Sequence, residues 1–183
     1  MTSLAESDWA RRARHFCALE QRLFELLGSW VPSVPEPEVK MLLRIHSFQH
    51  AWHAELWADL LPVGEDRRQA AGGLRPGVAV VLDGLTESTD TVDRLVAAYR
   101  GLLPLLVITY GGVRDGLEEA SDGPLRRVLE RIVFEDAEAC GAAEGLLTRL
   151  FDVPSDRAIP ARNLDGVGYA VRAAGGLDYI DMA

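Results

Sequence analysis

The chain has 183 residues, 48% apolar and 26% charged, which are ordinary globular values, and its length suits one domain with a substantial core. A net charge of −9 without any basic run argues against nucleic acid as a partner, and no unbroken run of about 18 apolar residues offers a membrane span. Cys17 and Cys140, two isolated cysteines on apolar faces, read as reduced thiols. With no apolar signal-type core around Glu6, Asp8, Arg11 and Arg12, they point to a cytoplasmic protein.

The first predicted helix runs from about Ser7 to Trp30, with Asp8 placed to favour the N-terminal dipole. The linker Val31 to Pro37 holds three prolines, and Ser33 with Glu36 has the spacing of a capping box. A second helix covers Glu38 to Leu61 and stops at Pro62 and Gly64. A long connection, Val63 to Ser88, carries Gly72-Gly73 and Pro76-Gly77.

The third helix is predicted from Thr89-Asp90 to about Glu119. Leu105 to Tyr110 and Val78 to Leu82 would each suit a buried strand, but Val92, Leu95, Tyr99, Leu103, Leu106, Tyr110, Val113 and Leu117 keep a helical stripe. Pro104 should kink that helix. After Asp122-Gly123-Pro124 a fourth helix spans Leu125 to Phe151. The expected class is therefore all-α: residues 1–151 form a helical bundle, and an irregular tail, 152–183, packs on it.

The second helix carries the strongest chemical signal. At about 100° per residue, Val39, Leu42, His46, His50, His53, Trp57 and Leu60 share one face, while Lys40, Arg44, Glu55 and Asp59 share the other. Three of the four histidines thus lie where the core should be, and an uncompensated polar group there is costly. Glu20 is centred on the first helix's apolar stripe of Trp9, Ala13, Phe16, Leu23, Phe24 and Leu27. Asp136 is centred on the fourth helix's stripe of Leu125, Leu129, Ile132, Val133, Cys140, Ala143, Leu147 and Leu150. Glu25, Glu130 and Glu138 project away, Glu135 lies at the margin, and His15 projects to the surface. Trp30 and Trp52 read as packing or interface residues. Elements of similar length packed side by side bring Glu20, His50, His53 and Asp136 to one level.

This pattern resembles the ferritin-like superfamily, four-helix bundles with a long crossover between helices two and three. Glu20 matches the helix-one glutamate. His50-Ala51-Trp52-His53 stands where the family has Glu-x-x-His, and Asp136-Ala137-Glu138-Ala139 stands at the second such motif, with alanine for histidine. No carboxylate lies between Asp93 and Asp115 to supply the helix-three ligand; Tyr99 and Tyr110 are the large polar groups there. Iron storage or a di-iron oxidase centre is not expected from so few carboxylates.

Three functions compete. The first is a small-molecule enzyme, an oxidoreductase with one non-haem ion, iron or another transition metal, held by His50 and His53, or by His46 and His50, with Glu20 or Asp136. The second is a cofactor-free lyase, isomerase or cyclase, with a buried histidine–carboxylate pair as acid–base group and Tyr99 or Tyr110 binding an oxyanion. The third is a non-catalytic binding protein with a satisfied polar core. Each allows a homodimer.

Overall fold

The computed structural model describes residues 2–61, 71–118, 122–152 and 164–178, and no strand occurs among them. The molecule is all-α. Helix α1 covers Thr2–Trp30, α2 Pro37–Ala58, α3 Pro76–Thr86, α4 Thr91–Asp115, α5 Gly123–Phe151 and α6 Leu164–Ala173. A short 3-10 turn, Ala71–Gly73, lies against α1.

The most extensive helix packing joins α1 to α2, followed by α4 to α5 and α2 to α5. Small residues set the first approach. A Cβ on Gly28 would stand 3.1 Å from Ser47 Oγ, Ser47 Oγ donates to the Phe24 carbonyl at 2.8 Å, and Cys17 Sγ donates to that of Ala54 at 3.4 Å. Helices this close can share one polar layer between their axes.

The linker after α1 is tied down from the far side of the chain. Buried Arg94 donates to the Ser88 carbonyl and to Ser33 Oγ, both at 2.8 Å, and its guanidinium lies 5.7 Å from the Trp30 ring centroid. The capping box expected of Ser33 and Glu36 does not form. Glu36 is the N-cap of α2 but makes no side-chain cap bond; it accepts from Thr91 Oγ1 instead, at 3.3 Å, while Pro37 at N1 starts the helix. At α4 the expected start holds, because Asp90 accepts from the Asp93 amide at 2.9 Å.

The connection predicted from Val63 to Ser88 is not structureless, since α3 lies within it. Pro76-Gly77 reads as a turn, yet proline is well suited to the first helical position, and Val78 and Leu82 bury one turn apart. Residues 62–70 of that connection, like the expected end of α4 at Glu119, lie outside the described residues. In the tail, α6 packs against α3 and α4. The segments 153–163 and 179–183 are likewise outside the description.

Helix α4 is continuous through Pro104, which lacks the amide that would bond the Arg100 carbonyl. The turn before it widens instead: Ala97–Leu102 is π-helical, and the Leu103 amide reaches the Ala98 carbonyl. By length and composition α4 also passes as a membrane span, but 56% of its most apolar window is buried inside the fold, as suits a core helix. Arg100 closes the α4–α5 contact with a two-pronged pair to Glu144, at 2.8 and 2.7 Å. Phe24 and Leu150, assigned to apolar stripes, sit at their edges, each 38% exposed.

Candidate functional site

All of Glu20, His46, His50, His53, Tyr99, Tyr110 and Asp136 are buried. Glu20 and His50 are both near mid-helix, and the tight α1–α2 packing puts His50 Nδ1 2.6 Å from Glu20 Oε2. The other oxygen of Glu20 accepts from the Tyr110 hydroxyl at 2.5 Å, so the widened turn of α4 still delivers a polar group to this level. His53 Nδ1 faces the same cluster, 3.5 Å from Glu20 Oε2 and 3.8 Å from Asp136 Oδ1. The rings of His50 and His53 stand edge to face, 5.6 Å apart. Donor atoms of Glu20, His50 and His53 lie within 4.8 Å of one another, a buried group that could hold a metal ion.

Among the described residues, His53 Nδ1 and Asp136 Oδ2 of this cluster are buried without a hydrogen bond, as is Trp57 Nε1 beside it. Such atoms are costly unless something engages them. Phe16, Trp57 and Tyr110 close one end of the layer with ring centroids 4.8 to 5.6 Å apart. That plug keeps the cluster in a medium of low polarity.

The electrostatics follow from the neighbours. Burial pushes the Glu20 carboxyl up, but the charge and hydrogen bond of His50, aided by His53, outweigh it and hold the group at about 2. Burial disfavours charge on His53 as well; Glu20, Asp136 and Glu135 surround it, prevail, and raise it to about 9. Asp136, short of donors and beside other carboxylates, is driven up to about 6 chiefly by burial. Both tyrosines are pushed well above the usual phenol range by burial, so their hydroxyls keep their protons.

His46 stands apart from the Glu20 group. Its Nδ1 meets the Tyr99 hydroxyl at 2.8 Å, and burial followed by the nearby His50 lowers it to about 4, making it a neutral partner of that tyrosine. Of the two expected pairings, His50 with His53 and His46 with His50, the first together with Glu20 forms the group of donors that could hold an ion.

Glu135 lies at the margin of the apolar face as expected, and it is also bonded to the inner layer. Its Oε2 meets His53 Nε2 at 2.9 Å, and its Oε1 accepts from Arg131 Nε at 2.8 Å. The i, i+4 spacing of Arg131 and Glu135 was visible in the sequence, but the helical wheel could not show that α2 crosses α5 at this residue. His15 overturns its expectation outright. It is fully buried, with Nε2 2.8 Å from the Leu177 carbonyl and Nδ1 3.4 Å from that of Gly73. The signal lay outside α1, in the turn and tail segments that pack over it.

Comparison with protein-family models, with curated proteins and with solved structures finds no match for this chain. The site is read from its own geometry.

Proposed function

We propose that this protein is a small-molecule enzyme whose active site is the buried layer between α1, α2, α4 and α5, and that Glu20, His50 and His53 hold one transition-metal ion there. The carrying observation is the convergence of three buried donors, one of which, His53, has Nδ1 without a hydrogen bond, beside the unbonded Asp136 Oδ2. Two imidazoles and a carboxylate suit iron among the available metals. The scaffold is read as a ferritin-like bundle reduced to one metal position: tyrosines stand on α4 where a carboxylate would bridge, and buried Ala139 stands where the second histidine would be.

When bound, the ion would supply Lewis-acid or one-electron chemistry with a coordination position left open. Tyr110 fixes Glu20 by donating to its outer oxygen. Glu135 accepts from His53 Nε2 and leaves Nδ1 turned inward, where a bound ion would take the place of its proton. Asp136 holds or releases a proton at Oδ2, the carboxylate oxygen without a partner. The aromatic plug excludes water from one end.

One observation favours a second reading. His50 and Glu20 already form a short, closed pair at 2.6 Å, which needs no ion to be satisfied and would serve as a metal-free acid–base couple. Anaerobic titration of chelator-treated protein with Fe(II) and Co(II) separates the two. Uptake of about one equivalent, abolished in folded His50→Gln and His53→Gln, is expected. Uptake below about a tenth of an equivalent by well-folded wild-type protein overturns the metal reading and leaves the acid–base one.

A further inference from the structure

The outer face of α2 carries a second, unassigned feature. Met41, Ile45, Phe48 and Trp52 are large, apolar and 49 to 63% exposed. Their 4-3-4 spacing makes one continuous stripe. Isolated exposed apolar residues are ordinary, but four aligned on one helix are not. With Arg44, Gln49, Arg131 and Glu135 they line an open groove of about 540 Å³ along the seam between α2 and α5, a size suited to a small organic ligand.

The charges in the groove are uneven. Glu135 is neutralised from two sides, by Arg131 Nε and by His53 Nε2. Arg44 is exposed and pairs with no described residue. The groove therefore offers one uncompensated guanidinium among aromatic and aliphatic walls, on a chain whose net charge is −9. A local positive site of this kind selects a single negative charge carried on an apolar body. A two-fold contact with a second copy fits less well, because it would bring arginines together with only the already bonded Glu135 to balance them.

We propose that this groove binds a small apolar carboxylate, its body against Phe48 and Trp52 and its carboxylate on Arg44. Glu135 is both part of the groove wall and the hydrogen-bond partner of buried His53, so an occupant lies one side chain from the inner layer. As a substrate site the groove rests on the reading of that layer as an active site; as a binding site it stands on its own residues.

The test is equilibrium dialysis and calorimetry of the full chain with 1-naphthylacetate and its neutral, equally bulky amide, 1-naphthylacetamide. Saturable one-to-one binding of the acid is expected, with the acid favoured about tenfold over the amide. Arg44→Gln should erase that preference by weakening the acid alone, and Trp52→Ala should weaken both. Absence of saturable binding, equal binding of acid and amide, or a preference that survives Arg44→Gln would each overturn the proposal. So would a dimer in sedimentation that Phe48→Asp dissolves and the acid cannot displace, since the occupant would then be a second copy. His50→Gln should bind the acid like the wild type, and Arg44→Gln should take up metal like the wild type, so each reading can fail without the other.

Discussion

His15 and His53 are both fully buried in the same helical fold, yet their surroundings make opposite demands on them. His15 meets two backbone carbonyls, of Gly73 and Leu177, and so ties α1 to the 3-10 turn and to the segment after α6. Arg12 reinforces that clamp through Asp178, at 3.0 and 3.3 Å, and Arg75 through the carbonyls of Gly175 and Asp178. His53 meets carboxylates from two helices, and a polar atom beside it has no partner. Burial lowers the first histidine below its ordinary value; the carboxylates overcome burial and raise the second to about 9. A buried histidine is therefore not itself the mark of a site. What distinguishes the two is whether the partners are fixed backbone acceptors or titratable groups with capacity left over.

The largest effects expected from this contrast are on function. His50→Gln and His53→Gln should abolish metal uptake, and any turnover that depends on it, by orders of magnitude per folded molecule. His15→Gln should leave uptake per folded molecule unchanged. Metal analysis and circular dichroism on the same samples check both halves, and a His15 variant that stays folded but loses its metal would dissolve the distinction.

Stability should respond in the opposite order. His15→Ala removes a packed ring and leaves the buried Leu177 carbonyl without its donor, so a loss of about 2 kcal/mol is expected. That corresponds to a fall of roughly 4 to 8 °C in the thermal midpoint for a chain of this size. Deleting the segment from Leu177 onward should reproduce most of that loss without touching the inner layer. If it does not, the clamp contributes little.

The two histidines should also shape the pH dependence of stability in opposite senses. His15 has a folded value below its unfolded 6.5, so the unfolded chain binds the proton more readily. Its contribution is fully present above 6.5 and is lost as pH falls through the lowered value. His53 has a folded value of about 9, above its unfolded 6.5. Its contribution is fully present below 6.5 and is lost as pH rises toward 9. In chelator-treated protein, His15→Gln should therefore flatten the acid limb of the stability profile, and His53→Gln the alkaline limb. Denaturant midpoints between pH 5 and pH 9 measure this, at about half-unit intervals.

How much of this was legible follows from which residues owe their position to a single helix. The layer of Glu20, His50, His53 and Asp136 was visible because each carboxylate is centred alone on a long apolar stripe and the histidines share the apolar face of α2, and the 3.6-residue period reports which face turns inward. The π-helical turn in α4 was not visible. It lies in the turn before Pro104, where the sequence pattern allowed only a kink. His15 is buried where the wheel projects it outward, and Glu135, at the margin as projected, has a partner the wheel does not show, for one shared reason. A helical wheel sees the helix that carries a residue, while these contacts are set by another segment crossing over it: Gly73 and Leu177 over His15, α2 over Glu135.

The smallest expected effect tests that explanation on α5 itself. Glu135 and Glu138 are three residues apart on one helix, and neither is centred on its apolar stripe. Glu138 is exposed, and no hydrogen bond or ion pair holds its side chain among the described residues. Glu138→Ala should therefore shift stability by no more than about half a kcal/mol, as at ordinary surface sites. Glu135→Ala should cost more, because it strands His53 Nε2 inside the fold and releases Arg131. Measured side by side in denaturant titrations, the pair isolates what the crossing of α2 adds to a carboxylate on α5. Equal losses at the two positions would mean that the contact between Glu135 and His53 stabilises nothing, and the outer wall of the layer would have to be sought elsewhere.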